Sequence, residues 1–373
     1  MEIGVYLMLA AAICASGMAR SDAKQDDPGR PRVGVTRWDG CWDGSPYVRC
    51  LDPAEWHYRL PFYGKVVATD KVEVRGDTQE VMDQEIAYAH DAGIDFWAFA
   101  YYHPDSGADQ YNYGRKLYLS SMRKHDLSFC LILFPDGCLG TKEQWPATVE
   151  ALVALFQEPT YQKVLAGRPL ALFYTVEGME KMFGGQAEAR EALDELRAQA
   201  VAAGSGPPYL VAQVWDAKTG ADYVDRYGFD AVSAYALADF GADHREHPYR
   251  ALAKSNADFW EACKATGKQL IPLVSSGWDN RPLQGDQWRD IYPQKADPGP
   301  WYAEPTPIEL AEHLRAALQW TKQNQAQVEA NTVLLYAWHE TGEGGMLVPS
   351  LREGSARLDA IREVLRAEGG RPG

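Results

Sequence analysis

The segment Thr332–Gly345 reads TVLLYAWHETGEGG and joins a run of apolar residues to a polar, glycine-rich end. The run from Val333 to Trp338 is apolar at successive positions, which is typical of a parallel strand that is covered on both faces. The glycines that follow allow the backbone to turn tightly and allow a ligand to approach it closely. The segment therefore predicts a buried strand over Thr332–Trp338 that ends in a tight polar turn.

Seven earlier runs of the same β-branched and aromatic type occur along the chain. They are Val33–Trp38, Ile94–Tyr101, Ser128–Phe134, Leu170–Thr175, Tyr209–Trp215, Phe229–Tyr235 and Gln269–Ser275. Eight strands that alternate with helices predict an α/β fold, a single-domain (β/α)8 TIM barrel over residues 32–370. The alternative is an open doubly wound sheet, but no G-x-G-x-x-G phosphate loop follows the first strand.

Longer amphipathic segments separate most of these runs and follow the last one. The predicted helices are Thr78–Ala92, Asn112–His125, Trp145–Phe156, Ala187–Ala203, Ala221–Tyr227, Pro248–Thr266, Thr306–Gln323 and Ser355–Leu365. The segment Thr306–Gln323 begins with a Thr-Pro helix start and carries Leu310, Leu314 and Leu318 on one face. Glu85, in the first helix, is interpreted as a solvated residue or a partner in an ion pair on the helix surface.

The N-terminal 20 residues are predicted to be a signal peptide, because the apolar stretch from Ile3 to Ala15 is followed by small residues. That stretch is too short to span a bilayer, and no later segment is a transmembrane candidate. Residues 21–31 are polar and contain Pro and Gly, which predicts a linker. We therefore expect a secreted or periplasmic protein without a membrane span.

The cysteines are compatible with an oxidising compartment. Cys41 and Cys50 flank a short loop rich in Gly, Pro and Asp, so a disulfide between them is plausible. Cys130 and Cys138 bracket a predicted strand and the loop after it, and they are a second candidate pair. Neither spacing indicates a zinc site.

The formal net charge of -15 excludes nucleic acid as an expected partner, because phosphate binding requires a basic surface. The sequence also contains no P-loop, no G-x-S-x-G nucleophile elbow and no H-E-x-x-H zinc helix. His244 and His247 lie near acidic residues, but their loop is interpreted as polar surface. We predict no metal and no organic cofactor.

Glu340 and Glu343 are the candidate catalytic residues. Both follow the last predicted strand, and active sites of barrel enzymes lie at the C-terminal ends of the strands. Two nearby carboxylates repel each other, so one can act as an acid and the other as a base. Glycoside hydrolysis requires this division of roles. A structural ion pair, a helix N-cap cluster or a metal site is the alternative interpretation.

Candidate substrate-binding residues pair aromatic rings with polar groups near the predicted strand ends, as a sugar cleft requires. They are Trp38, Asp39, Tyr63, Tyr101, Tyr102, His103, Trp215, Asp216, Tyr235, Trp278, Asp279, Arg281, Trp338 and His339. Two long loops, over residues 39–77 and 276–302, carry several of them. Loops of this length are usually functional. Asp39 could equally cap its loop, and His103 could belong to the turn before Pro104.

Several motifs resemble glycoside hydrolase family 99 and its WbsX-like relatives. They are RWDGCW, FYGKV, AGIDFWAFAYYHP, GRPLALFY, GWDNRP and AWHETGEGGMLVP, which together span nearly the whole mature chain. The resemblance implies a (β/α)8 barrel that cleaves internal α-mannosidic linkages with retention of configuration. It further implies that Glu340 is the general base on the sugar 2-hydroxyl and that Glu343 protonates the leaving oxygen, giving a 1,2-anhydro sugar.

The chain departs from the family pattern beside the two acids. His339 stands where the family usually has Asn, and Thr341-Gly342 replaces a bulky pair. The α-mannoside specificity is therefore open. We expect a retaining glycoside hydrolase that acts on an oligo- or polysaccharide, with a WbsX-like glycosyltransferase and a non-catalytic carbohydrate-binding barrel as alternatives. The oligomeric state is not predicted.

Overall fold

A computed structural model describes residues 29–42, 44–239, 241–284 and 299–369. Within these ranges, eight parallel strands form a barrel, in the order in which they occur along the chain. They are Arg32–Arg37, Phe96–Tyr101, Ser128–Leu133, Arg168–Phe173, Tyr209–Gln213, Ala231–Ser233, a seventh in two pieces, and Thr332–Tyr336. We refer to them as the first to the eighth barrel strand.

The seventh strand closes the barrel. Its first piece, Gln269–Leu270, pairs with the sixth strand, and its second piece, Leu273–Ser275, pairs with the eighth. The eighth strand pairs in turn with the first. The sequence predicted one continuous strand here, but Pro272 between the two pieces has no backbone N–H to donate to a ladder. The predicted (β/α)8 barrel is confirmed.

Helices of the described residues surround the barrel. They are Gln79–Asp91, Tyr113–Ser120, Trp145–Phe156, Gly178–Phe183, Gln186–Ala202, Ala217–Tyr227, Tyr249–Ala265, Pro307–Gln323 and Ala356–Ala367. Most match the predicted helices within a few residues. The second is shorter than predicted, because the chain leaves the helical conformation at Ser121 and a separate 3-10 turn, Lys124–Asp126, follows. Thr306 and Glu309 form the capping box that starts Pro307–Gln323.

Successive strand residues face alternately into the barrel and towards the helices. Gly34 faces inward, where an added Cβ would overlap the ring of Phe96. Arg37 faces outward, where its guanidinium pairs with Glu85 of the first helix at 2.8 Å. Glu85 is fully buried, so the expectation of a solvated Glu85 was wrong. The carboxylate can be buried because the arginine charge compensates it.

The long loop after the first strand folds over the C-terminal end of the barrel. It contains the 3-10 turns Pro46–Leu51 and Ala54–Arg59 and the antiparallel hairpin Gly64–Ala68 with Lys71–Val74. Its apolar side chains form a second, smaller core together with Leu283 from the loop after the seventh strand. The two loops that the sequence marked as long therefore pack against each other.

The predicted disulfides are not formed in the structure. Cys41 is a free thiol in the smaller core, and no disulfide joins it to Cys50. Cys130 lies inside the third strand and Cys138 in the loop after it, and both are free thiols. The predicted signal peptide and most of the predicted linker lie outside the described residues. Among the helices described, none has the length and apolar character needed to cross a membrane.

Candidate active site

Glu340 and Glu343 lie on one tight turn that follows the eighth strand. Two residues, His339–Glu340, pair antiparallel with Gly345–Met346, so the chain reverses direction between them. Gly344 has a φ of +79°, a left-handed conformation that favours glycine. Glu340 is almost entirely buried at 5% exposure, whereas Glu343 is half-buried.

Each carboxylate accepts a hydrogen bond from a buried tyrosine hydroxyl. Tyr235 donates to Glu340 Oε1 at 2.6 Å, and Tyr336 donates to Glu343 Oε2 at 2.6 Å. Tyr47, from the long loop after the first strand, donates a longer bond of 3.3 Å to Glu340 Oε2. The Tyr47 hydroxyl also accepts the backbone N–H of Gly342 at 2.8 Å, so it fixes the turn itself.

These tyrosines are held in their neutral form. Burial, and then the nearby Glu340 charge, raises the pKa of both Tyr47 and Tyr235 well above its usual range. Burial, followed by the charge of Glu343, does the same to the pKa of Tyr336. A neutral phenol has a proton to donate, so the three hydroxyls act as hydrogen-bond donors to the carboxylates over the physiological pH range.

Aromatic rings line the mouth of the barrel around the acids. Strands one, two, three, four, six and eight each contribute one such ring, at or just past the strand end: Trp38, Tyr102, Phe134, Tyr174, Tyr235 and Tyr336. We call this set the aromatic mouth. Tyr102 stacks on Phe134 with centroids 5.5 Å apart, and Tyr174 stacks on Tyr235 at 4.6 Å. Trp38, Phe134 and Tyr174 remain partly exposed and can present a flat face to a ligand.

Five predicted binding residues lie at this mouth. Trp38 donates its Nε1–H to the Tyr102 hydroxyl at 2.8 Å. Trp278 packs against Tyr336, with ring centroids 6.2 Å apart, and Trp215 meets Tyr174 edge to face at 5.8 Å. Trp215 is 43% exposed, which leaves much of its indole accessible from solvent. With Tyr235, these residues are brought together as the strand-end positions predicted.

Three predicted binding residues lie away from the mouth. Tyr101 faces the helices, where Arg115 lies over its ring at 4.9 Å. Trp338 is fully buried against Trp97, with centroids 5.0 Å apart. Tyr63 is partly buried against the smaller core, and burial of its hydroxyl, followed by the Glu85 charge, raises its pKa well above the usual range. These placements correct the expectation that the three rings contact the substrate. For Tyr101 the reason is strand alternation, which sends Tyr101 and Tyr102 to opposite faces.

Asp39 and His339 form a buried pair behind the acid-bearing turn. His339 Nε2 lies 3.3 Å from Asp39 Oδ1, and Arg37 Nε donates to the same oxygen at 2.9 Å. Burial alone would raise the pKa of Asp39, but the Arg37 charge and the His339 contact lower it below its usual value. A Cβ at Gly114 would overlap this carboxylate. Asp39 therefore supports the site from behind instead of facing a sugar.

His103 and Asp216 hold local turns. His103 Nδ1 accepts the backbone N–H of Asp105 at 3.1 Å and is nearly buried. Asp216 accepts the backbone N–H of Thr219 at 2.9 Å and caps the helix Ala217–Tyr227. In both cases the side chain stabilises its own loop. For His103 this is the alternative interpretation given above, a residue of the turn before Pro104.

Asp279 and Arg281 lie beside the turn at the rim of the barrel. Arg281 Nε donates to Asp279 Oδ1 at 2.8 Å, and the buried Arg59 pairs with the other carboxylate oxygen. Burial would raise the pKa of Asp279, but the hydrogen bond from Arg281 and the Arg59 charge lower it. The Asp279 backbone N–H donates to the Glu343 carbonyl at 2.7 Å. The pair therefore contacts the backbone of the turn.

Sequence reasoning missed Tyr47, Arg59, Phe134, Tyr174 and Tyr336. Phe134 ends a predicted strand, so the rule that selected Trp38 and Tyr235 also applied to it. Tyr174 and Tyr336 lie inside predicted strands, because the strands Leu170–Thr175 and Thr332–Trp338 were predicted to extend past them. Tyr47 and Arg59 lie in the middle of a long loop, where no local pattern indicates which part of the barrel they contact. The described residues bring together no group of three or more His, Cys, Asp or Glu side chains suited to a metal ion.

The barrel is similar in fold to solved structures of other proteins. The chain is similar to the structure of the GH99 endo-alpha-mannosidase from Bacteroides thetaiotaomicron, with 13% identity, a TM-score of 0.55, and coverage of 91% of this chain and 97% of that one. It is also similar to a structure described as a glycoside hydrolase-like protein, with 11% identity, a TM-score of 0.62, and coverage of 90% and 94%. At such low identity the likeness shows the fold alone.

The family follows from the sequence. Residues 132–361, more than half of the chain, match the model of the family described as glycosyltransferase WbsX. The protein belongs to this family, and the resemblance predicted from the motifs is confirmed. No curated protein matches the chain significantly.

Proposed function

We propose that this protein is a retaining glycoside hydrolase that cleaves an α-mannoside-type linkage, and that it is exported from the cytoplasm. The observation that carries the proposal is the pair Glu340 and Glu343 on a single turn, each bonded to a buried tyrosine at the mouth of the barrel. The aromatic mouth supports a carbohydrate substrate, because the C–H face of a pyranose stacks on aromatic rings.

In the first step, the Glu340 carboxylate takes the proton of the sugar 2-hydroxyl. The 2-oxygen attacks the anomeric carbon, and the bond from that carbon to the leaving oxygen breaks. Glu343 gives its proton to the leaving oxygen, so the products are a 1,2-anhydro sugar and the released alcohol. The hydroxyls of Tyr235 and Tyr47 suit Glu340 to the base role, because hydrogen bonds to a carboxylate favour its charged form.

In the second step, the Glu343 carboxylate takes a proton from water. The water oxygen attacks the anomeric carbon and breaks its bond to the 2-oxygen, which recovers its proton from Glu340. Two inversions at one carbon give net retention. Half-exposed Glu343 suits this step, because it is open to the water that it must activate.

The test is turnover on a panel of α- and β-linked oligosaccharides, followed by chromatography of the products. The variants are Glu340→Gln and Glu343→Gln, with Glu150→Gln on the exposed face of Trp145–Phe156 as the matched control. We expect the wild type and the control to cleave an α-mannoside. Both active-site variants should still bind it, as measured by calorimetry, but should not cleave it. Undiminished turnover in either variant would contradict the proposal.

Glycosyl transfer is the second candidate, and the family description favours it. Its test is incubation of the wild type with nucleotide sugars and an oligosaccharide acceptor. A longer product that depends on the nucleotide sugar would support transfer over hydrolysis. Wild-type binding without turnover on every substrate and donor would support a carbohydrate-binding barrel.

A further inference from the structure

Arg59 is a fully buried arginine that joins three loops at the rim of the barrel. It ends the turn Ala54–Arg59 in the loop after the first strand. Its Nη2 pairs with Asp279 Oδ2 in the loop after the seventh strand. Its Nη1 donates to the Asp279 carbonyl at 2.9 Å and to the Thr341 carbonyl, in the turn after the eighth strand, at 3.3 Å.

Asp279 links Arg59 to the backbone of Glu343. Its backbone N–H donates to the Glu343 carbonyl at 2.7 Å. A Cβ added to Gly344 would lie 3.0 Å from the same nitrogen and 3.6 Å from Arg59 Nη2, so the turn rests directly on both residues. Arg59 thus holds the backbone on both sides of Gly342, through Thr341 and through Asp279.

The chemistry of arginine explains why this residue type is present. A guanidinium offers several donors in a fixed plane, whereas a lysine offers one compact charge. Arg59 uses that plane to bond one carboxylate and two carbonyls at once. Burying an ion pair adds little net stability by itself, so stability alone does not account for a fully buried Arg59.

We propose that Arg59 is a positioning residue for Glu343, acting through Asp279 and Thr341. The proposal rests on the proposed function in so far as Glu343 is the residue that protonates the leaving oxygen. Arg59 fixes the backbone of the turn, and the turn aims the Glu343 carboxyl at that oxygen.

The first test measures the turn itself, without a substrate. Amide hydrogen exchange is followed by mass spectrometry in the peptide that contains Thr341–Met346, for wild type, Arg59→Lys and Asp279→Asn. The matched control is Arg30→Lys, because Arg30 pairs with Asp95 at 2.7 Å at the N-terminal end of the second strand. We expect faster exchange in this peptide for the first two variants and not for the control. Unchanged exchange in both would overturn the proposal.

The second test separates positioning of the acid from a general loss of structure. The substrates are the methyl and dinitrophenyl glycosides of α-linked mannobiose, since a dinitrophenolate leaves without protonation. For Arg59→Lys we expect kcat on the methyl glycoside to fall about a hundredfold, with KM nearly unchanged and little loss on the dinitrophenyl glycoside.

Equal losses on the two substrates would overturn the positioning role, because a merely structural defect affects both. If the wild type cleaves neither glycoside, the proposed function fails, and hydrogen exchange still decides whether Arg59 holds the turn. Thermal unfolding of Arg59→Lys and Arg30→Lys, measured alongside, shows whether the two variants lose comparable stability.

Discussion

Glu340 and Glu343 are separated by three positions on one turn, yet their surroundings differ. Glu340 is 5% exposed and accepts bonds from two tyrosine hydroxyls, one from the sixth-strand end and one from the long first loop. Glu343 is half-buried, and Tyr336 of the adjacent strand donates to it. The two carboxylates thus differ in burial and in the tyrosines that donate to them, and differences of this kind allow one residue type to serve as base and acid.

Removing the carboxylates should have the largest effect and should differ between them. We expect Glu340→Gln to lower kcat about a thousandfold on both methyl and dinitrophenyl α-mannobiosides, because the base is required whatever the leaving group. Glu343→Gln should lower kcat as much on the methyl glycoside but far less on the dinitrophenyl glycoside, whose leaving group needs no proton. Steady-state kinetics on the pair of substrates measures both. The opposite pattern would exchange the two roles.

Removing the tyrosine donors should have the next largest effect. A hydrogen bond to a charged group contributes about 1.5–3 kcal/mol, so Tyr235→Phe should lower kcat about tenfold to a hundredfold. Tyr47→Phe removes a bond of 3.3 Å instead of 2.6 Å and should cost less. The measurement is kcat at saturating substrate. A larger loss for Tyr47→Phe would show that its bond to Gly342 matters more than its bond to Glu340.

Below neutral pH, activity should fall partly because the protein becomes less stable. This contribution must be separated from the protonation of Glu340 and Glu343. Burial lowers the pKa of His313, on the helix Pro307–Gln323, from 6.5 to about 3. The unfolded chain therefore binds a proton below pH 6.5 that the folded chain does not, so stability is lost as the pH falls from 6.5 towards 3.

At pH 5 this loss amounts to about 2 kcal/mol. Denaturant unfolding of wild type should become easier between pH 7 and pH 5, and His313→Gln should flatten that dependence. The pH profile of its activity should then no longer contain the contribution of His313 to unfolding. An identical pH dependence of unfolding in both proteins would contradict the assignment to His313.

The smallest effect is expected at Thr175, which follows Tyr174 at the end of the fourth strand. Thr175 has a φ of +59°, a conformation that is unfavourable for a β-branched residue. Thr175→Gly should raise the unfolding free energy by about 1 kcal/mol. Because the Tyr174 ring is held by Tyr235, kcat should barely change. A tenfold fall in kcat would show that Thr175 sets the position of the aromatic mouth.

The sequence predicted the parts of this protein that depend on local patterns. Apolar runs such as Ser128–Phe134 and caps such as Thr306 fix strands and helices by contacts between near neighbours, and these elements lie where expected. The location of Glu340 and Glu343 at the C-terminal end of the barrel was predicted because active sites of barrel enzymes lie at that end of the strands. Asp39 was interpreted from its place after a strand, but its burial depends on Gly114 and His339, which are distant in sequence.

Long-range contacts made the remaining features unpredictable. Tyr47 reaches Glu340 across 293 positions of sequence, and Arg59 reaches Asp279 across 220. No period or motif within the first loop encodes either contact. Tyr336 and Trp338 illustrate a smaller limit, because strand alternation predicts the same face for both. In the structure Tyr336 faces the mouth, whereas Trp338 packs against Trp97.

The most direct measurement is a crystal structure of Glu340→Gln with an uncleaved α-mannoside. Our expectation is that the 2-hydroxyl of the sugar lies within about 3 Å of the side chain at position 340 and that the glycosidic oxygen lies equally close to Glu343. A glycan bound at the aromatic mouth with neither oxygen near these side chains, or bound at another surface, would contradict it.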